Sequence, residues 1–115
     1  MENALNSIKK FVNDTVSYEQ IARIYFEKKE YLKALKAYQT ALAIMDFSKA
    51  YRTIEPNVRQ VYMSDLYIKV SDIYEILNEK SLKHYSLEHA LSNLKNETRP
   101  DKIILEKNII DRLKN

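Results

Sequence analysis

Apolar residues recur along most of the chain at spacings of three and four, the period of a helix buried on one side. Leu5, Ile8, Phe11 and Val12 form a first stripe. Asn13-Asp14-Thr15 interrupts it and offers Asp14 or Thr15 as the N-cap of a new helix. Tyr18, Ile21, Ala22 and Tyr25 carry the second stripe, and Lys28-Lys29-Glu30 turns it. Tyr31, Ala34, Leu35, Tyr38, Ala41, Leu42 and Met45 predict a long third helix. Beyond Met45 the phase slips to Phe47, Ala50, Tyr51 and Ile54, so the helix either breaks near Asp46 or serves a second neighbour. Glu55-Pro56-Asn57 marks a boundary, with Pro56 suited to the first turn of the next helix. That helix runs from Val58 to Leu77 and turns at Asn78-Glu79-Lys80. A fifth spans Leu82 to Leu94. Thr98-Arg99-Pro100-Asp101 resembles a capping box before a sixth, Ile103 to Leu113.

Composition narrows the class. The 115 residues contain no glycine, two prolines and no cysteine. Tight β-turns need positive φ, which glycine usually supplies, so sandwiches, barrels and Gly-loop phosphate sites are excluded. Disulfide scaffolds and thiolate metal sites go with cysteine. The expectation is a single all-α domain over 1–115. Apolar residues make up 45% and charged residues 30%, a globular balance. A net charge of +3 suits solubility rather than nucleic-acid binding. No secretory signal and no membrane-length apolar run is visible, so cytoplasmic residence is the expectation.

The pattern repeats. Slid by 49 residues, Tyr18 falls on Tyr67, Ile24 on Ile73, Tyr25 on Tyr74, Glu30 on Glu79, Ala41 on Ala90 and Leu42 on Leu91. Ile21 falls on Val70 and Ala22 on Ser71. From Thr15 onward the first copy resembles a tetratricopeptide repeat, a pair of antiparallel helices with large and small residues at fixed places. Tyr18, Ile21, Ala22 and Tyr25 match the first helix of that repeat, and Ala34, Tyr38 and Ala41 the second. The resemblance implies a close helix crossing at Ala22 and Ala34, with Tyr25 and Tyr38 filling the gaps beside it. The chain departs from the family in having Lys29 at the turn, Asp46 where proline is usual, and Lys83 at a small position of the second copy. An interval of 49 is also longer than the family's. It is similar in helix length only to the variants found in peptide-sensing regulators of Gram-positive bacteria. The implied architecture is a short solenoid of antiparallel helical hairpins. Residues 15–48 form one repeat and 64–97 a degenerate second, with 1–13 and 98–115 as flanking helices that cap open ends.

Chemistry is sparse. His84 and His89 are five apart and point to different faces of a helix, so no metal site is expected. No nucleophile motif and no paired catalytic carboxylates stand out, and neither an enzyme nor a cofactor is expected. Lys29, Lys33 and Lys36 form a basic stripe diluted by Glu27 and Glu30, read as a solvated face. The resemblance implies a concave face lined by the first helix of each repeat, which takes a peptide or a partner helix. It falls on Glu19, Arg23, Phe26 and Glu27 in one copy and on Asp65, Ile68, Lys69, Asp72 and Ile76 in the other. The lysine and asparagine with which some members grip a partner's terminal carboxylate are here Glu19 and Arg23, so that clamp is not implied. A non-catalytic protein- or peptide-binding module is the leading expectation, with no nucleic acid and no membrane. Its rivals are a self-associating helical module, for which the slipped stripe at Tyr51 speaks, and a regulatory fragment acting in trans on a DNA-binding partner.

Overall fold

The structure, a computed structural model, describes residues 3–47, 56–95 and 101–114. Within them the protein is all-helical: α1 (Asn3–Glu27), α2 (Tyr31–Phe47), α3 (Pro56–Ile76), α4 (Lys80–Asn93) and α5 (Asp101–Lys114). The described residues contain no strand. They divide into two compact units, Met1–Pro56 and Asn57–Asn115. The slipped stripe at Ala50, Tyr51 and Ile54 and the capping box at Thr98 lie outside the described residues.

In the first unit α1 and α2 form a helical hairpin. The expected break at Asn13-Asp14-Thr15 does not occur, and the first two predicted helices are one. Thr15 explains this. It falls in phase with Ile8, Val12, Ala22 and Phe26, and its side chain is fully buried rather than turned back as a cap. A mid-helix threonine costs only a few tenths of a kcal/mol (~0.5) in propensity, which burial of that face overrides. Ala22, Ala34 and Ala41 are completely buried, with Tyr38 and Met45 beside them. Small side chains at those three places let the two helix backbones approach.

The second unit begins with a hairpin of α3 and α4 built on the same frame 49 residues later. Ser71 and Ala90 are fully buried where Ala22 and Ala41 are in the first. Ser71 absorbs its hydroxyl by donating to the Ile68 carbonyl at 2.6 Å. Ser64 Oγ donates to the Ala90 carbonyl at 2.7 Å, tying α3 to α4 through an otherwise apolar contact. Lys83, at the place of Ala34, is also buried, and its ammonium reaches Glu75 Oε2 at 2.8 Å. That ion pair and its hydrogen bond hold the Glu75 carboxyl below the usual carboxylate range.

The two turns are the clearest sign of a structural repeat. Lys29 and Asn78 both take the left-handed conformation, with φ of 63° and 62°. Glu30 N–H donates to the Tyr25 carbonyl at 2.9 Å and Glu79 N–H to the Tyr74 carbonyl at 2.8 Å. Lys29 N–H donates to Phe26 at 3.0 Å and Asn78 N–H to Glu75 at 3.1 Å. This is the Schellman closure of a helix C-terminus, repeated bond for bond. A glycine-free chain thus makes its tight turns with a lysine and an asparagine.

α5 completes the second unit. Ile109 is buried among Ile68, Leu87, Ala90 and Leu94, with Leu105 and Leu113 packed at the edge of the cluster.

Candidate partner-binding surfaces

The residues expected to face a partner fall in two sets, one on α1 and one on α3, and each set has its own surroundings. On α1, Arg23 stands exposed and pairs with Glu19 one turn earlier at 3.6 Å. The Glu19 side chain keeps only 13% of its surface in solvent, so it is far less open than its partner Arg23. Phe26 is half-buried with its ring edge-on to Tyr31, centroids 5.5 Å apart. Glu27 is exposed.

On α3 the picture differs. Ile68 is 6% exposed and belongs to the core with Ile109, so its side chain faces α5 rather than solvent. Asp72 is held by Arg112 in a two-pronged fork, Nε to Oδ1 at 2.8 Å and Nη2 to Oδ2 at 3.2 Å. The carboxylate in turn raises the already high pKa of the guanidinium. Lys69 pairs with Asp65 at 3.1 Å and is half-buried, while Ile76 is exposed. α5 therefore lies along the very face of α3 on which Ile68 and Asp72 were expected to be open. The sequence places those residues on one helix face; it does not say which face the last helix covers.

Two open grooves also emerge, neither anticipated as a site. One, of about 610 Å³, runs between α4 and α5 with Leu91 and Ile110 at its floor and Glu88, Lys95, Lys102 and Glu106 around it. Beyond it α5 exposes Ile103 and Ile104. The other, of about 440 Å³, lies between α1 and α2. Tyr18, Ile21 and Tyr25 form one wall and Lys33, Lys36, Ala37 and Thr40 the other. The Lys33 ammonium sits 5.6 Å from the Tyr25 ring centroid, within cation–π reach, and 3.8 Å from Glu30. Lys33 and Lys36 were read as a plain solvated stripe; they are exposed, and they also rim this groove.

The counterpart of the second groove in α3 and α4 carries two rings that the first hairpin lacks. His89, at the place of Thr40, stacks on Tyr67 with centroids 5.3 Å apart. Tyr85, at the place of Lys36, meets the same imidazole edge-on at 4.4 Å. Thr40 instead donates to the Lys36 carbonyl at 2.8 Å and reaches no further. Comparing the copies at the 49-residue register would have shown the difference, because Thr40/His89 and Lys36/Tyr85 are among its least conservative pairs.

Among the described residues no group of histidines and carboxylates is placed to hold a metal ion, and no helix is long and apolar enough to cross a membrane. No family model, no curated protein and no solved structure matches the chain.

Proposed function

We propose that the chain is a non-catalytic helical-repeat module of tetratricopeptide type that binds a protein or peptide partner. The observation that supports this most is the repeated hairpin: two copies with the same Schellman turns and the same buried small positions, Ala22 with Ser71 and Ala41 with Ala90. A chain that duplicates a packing frame and varies the charged residues around it is built to present surfaces. On this reading each hairpin presents its own face: Glu19, Arg23, Phe26 and Glu27 on α1 in the first unit, and Lys69 on α3 in the second, where Ile68 and Asp72 act through the docked α5. The test is charge reversal at Arg23 and Lys69, compared with reversal at the exposed Lys80 and Lys107. Once a partner is in hand, the Arg23→Glu/Lys69→Glu protein should lose affinity with little change in Tm. The exposed Arg23 and the surface Lys69–Asp65 pair, which is half-buried only on its lysine side, contribute about 0–1 kcal/mol each to folding, whereas charges matched to a partner set encounter and register. Equal loss from the Lys80/Lys107 pair would move the site elsewhere.

Self-association is the second reading, and the exposed isoleucines of α5 favour it. Ile103 and Ile104 stand well out in solvent, adjacent on the first turn of α5, and exposed apolar surface of this kind marks contact sites. Under this reading Ile104→Asp converts a dimer to a monomer in sedimentation equilibrium; a monomeric wild type removes the reading.

A further inference from the structure

The groove between α1 and α2 is a packing face left without its packing. In its α1 wall Ile21 is 42% exposed, whereas Val70, its equivalent in the second hairpin, is 3% exposed. The same contrast holds across the groove, where the second hairpin carries its own rings, His89 on Tyr67 and Tyr85 on His89. The first hairpin keeps the lower ring, Tyr18, and the small floor, Ala37, but replaces the two covering rings by Thr40 and Lys36. What it has in their place is charge. The lining contains two lysines and no carboxylate, and Lys36 makes no ion pair among the described residues.

We propose that this groove docks an acidic peptide segment carrying an aromatic side chain. The ring enters between Tyr18 and Thr40, where the second hairpin keeps the His89 imidazole, and stacks on Tyr18 as His89 stacks on Tyr67. Carboxylates flanking that ring in the peptide pair with Lys36 and Lys33 at the rim. A peptide fits better than a nucleic acid because two lysines neutralise too little phosphate to hold a strand, and because Ile21 and Ala37 offer apolar contact. The inference rests on the reading of the chain as a binding module, and not on the inner-face residues Arg23 and Lys69.

The experiment is fluorescence anisotropy with a short labelled peptide in which glutamates flank a single phenylalanine. Its controls are the same peptide with Phe replaced by Ala, the same peptide with Glu replaced by Lys, and labelled oligo-uridylate. The full chain should bind the acidic aromatic peptide and lose about tenfold or more in affinity for either peptide control, equivalent to about 1.4 kcal/mol. The variant Thr40→His/Lys36→Tyr copies the second hairpin's own closure. It should lose binding about tenfold or more while keeping or raising Tm. Should that variant fold poorly, Lys33→Glu/Lys36→Glu alters only exposed groups and should give the same loss. The proposal is overturned by any of four results: no preference for the acidic aromatic peptide, unchanged binding by both groove variants, tighter binding of oligo-uridylate, or a wild-type dimer that the closing variant abolishes. Lys80→Glu/Lys107→Glu, at exposed positions away from the groove, should leave peptide binding unchanged. Loss of binding in Arg23→Glu/Lys69→Glu while both groove variants bind as the wild type does would place the peptide on those faces of α1 and α3, overturning the groove and sparing the broader function.

Discussion

The two hairpins share a backbone and differ in what they leave open. Their turns match in φ and in every capping hydrogen bond, and their helices meet at small residues in the same register. Yet α1 exposes Ile21 and Ile24 where α3 buries Val70 and Ile73. The α3–α4 hairpin also stacks Tyr67, His89 and Tyr85 where the first has Tyr18, Thr40 and Lys36, and gives Ile68 and Asp72 to α5. A repeat frame therefore fixes where helices run and leaves each copy free to be sealed or open. The open copy is the one to expect a partner on.

The sharpest way to break the comparison is to exchange what the copies bury. Ala34 in the first hairpin corresponds to Lys83 in the second, and Phe26 to Glu75. Ala34→Lys places an ammonium in the first hairpin with no carboxylate to meet it, and should cost about 3 kcal/mol in urea unfolding. Adding Phe26→Glu should recover a substantial part of that loss. If the double variant is no more stable than Ala34→Lys alone, the two hairpins do not share the geometry that lets Lys83 reach Glu75.

A smaller effect tests the turns. A lysine in the left-handed region is strained by its Cβ, an asparagine less so, and glycine not at all. Lys29→Gly should stabilise the protein by about 0.5–1 kcal/mol, net of the extra freedom glycine adds to the unfolded chain. Asn78→Gly should gain less, about 0.3 kcal/mol. The readout is the urea midpoint at constant slope. A destabilising Lys29→Gly would mean the lysine side chain, and not only the backbone, holds the turn.

The smallest effect is one of pH. Lys83 lowers the Glu75 pKa in the folded protein, so the native state binds this proton less readily than the unfolded chain does. The pair's contribution is then full above the ordinary carboxylate pKa, about 4.3, and is lost as pH falls through the lowered folded value. Melting temperature should decline on acidification through that window, and Glu75→Gln should flatten part of the decline. Because Phe26 occupies the equivalent place, no such component arises there in the first hairpin. An unchanged pH profile in Glu75→Gln would show the pair to be thermodynamically idle.

Much of the frame was legible in the sequence. Ala22, Ala34, Tyr38 and Ala41 read as buried because their spacing and size allow only one kind of helix contact, and they are buried. Asn78 and Lys29 read as turns because polar triplets separate the stripes there. Thr15 misled because Asn-Asp-Thr is good capping chemistry, and only its phase with Ala22 and Phe26 betrays a residue inside a helix. Ile68 and Asp72 read as open to a partner and are covered instead, since the docking face of α5 depends on Ile109 and Arg112 finding them across a long stretch of chain. The groove was hidden differently. Its walls are ordinary repeat residues, and its meaning lies in Thr40 and Lys36 failing to be the rings that their counterparts are.

The Arg112–Asp72 fork has a kinetic consequence. Its partners are 40 residues apart, against 26 for the Ser64–Ala90 bond inside the α3–α4 hairpin. The hairpins close over three-residue turns and meet little loop entropy, whereas α5, after packing on its neighbour α4, makes the Asp72 fork across a longer loop. If α5 is the least stably held element of the second unit, its amides should exchange before those of α3 and α4, and each such opening would uncover the face bearing Ile68 and Asp72.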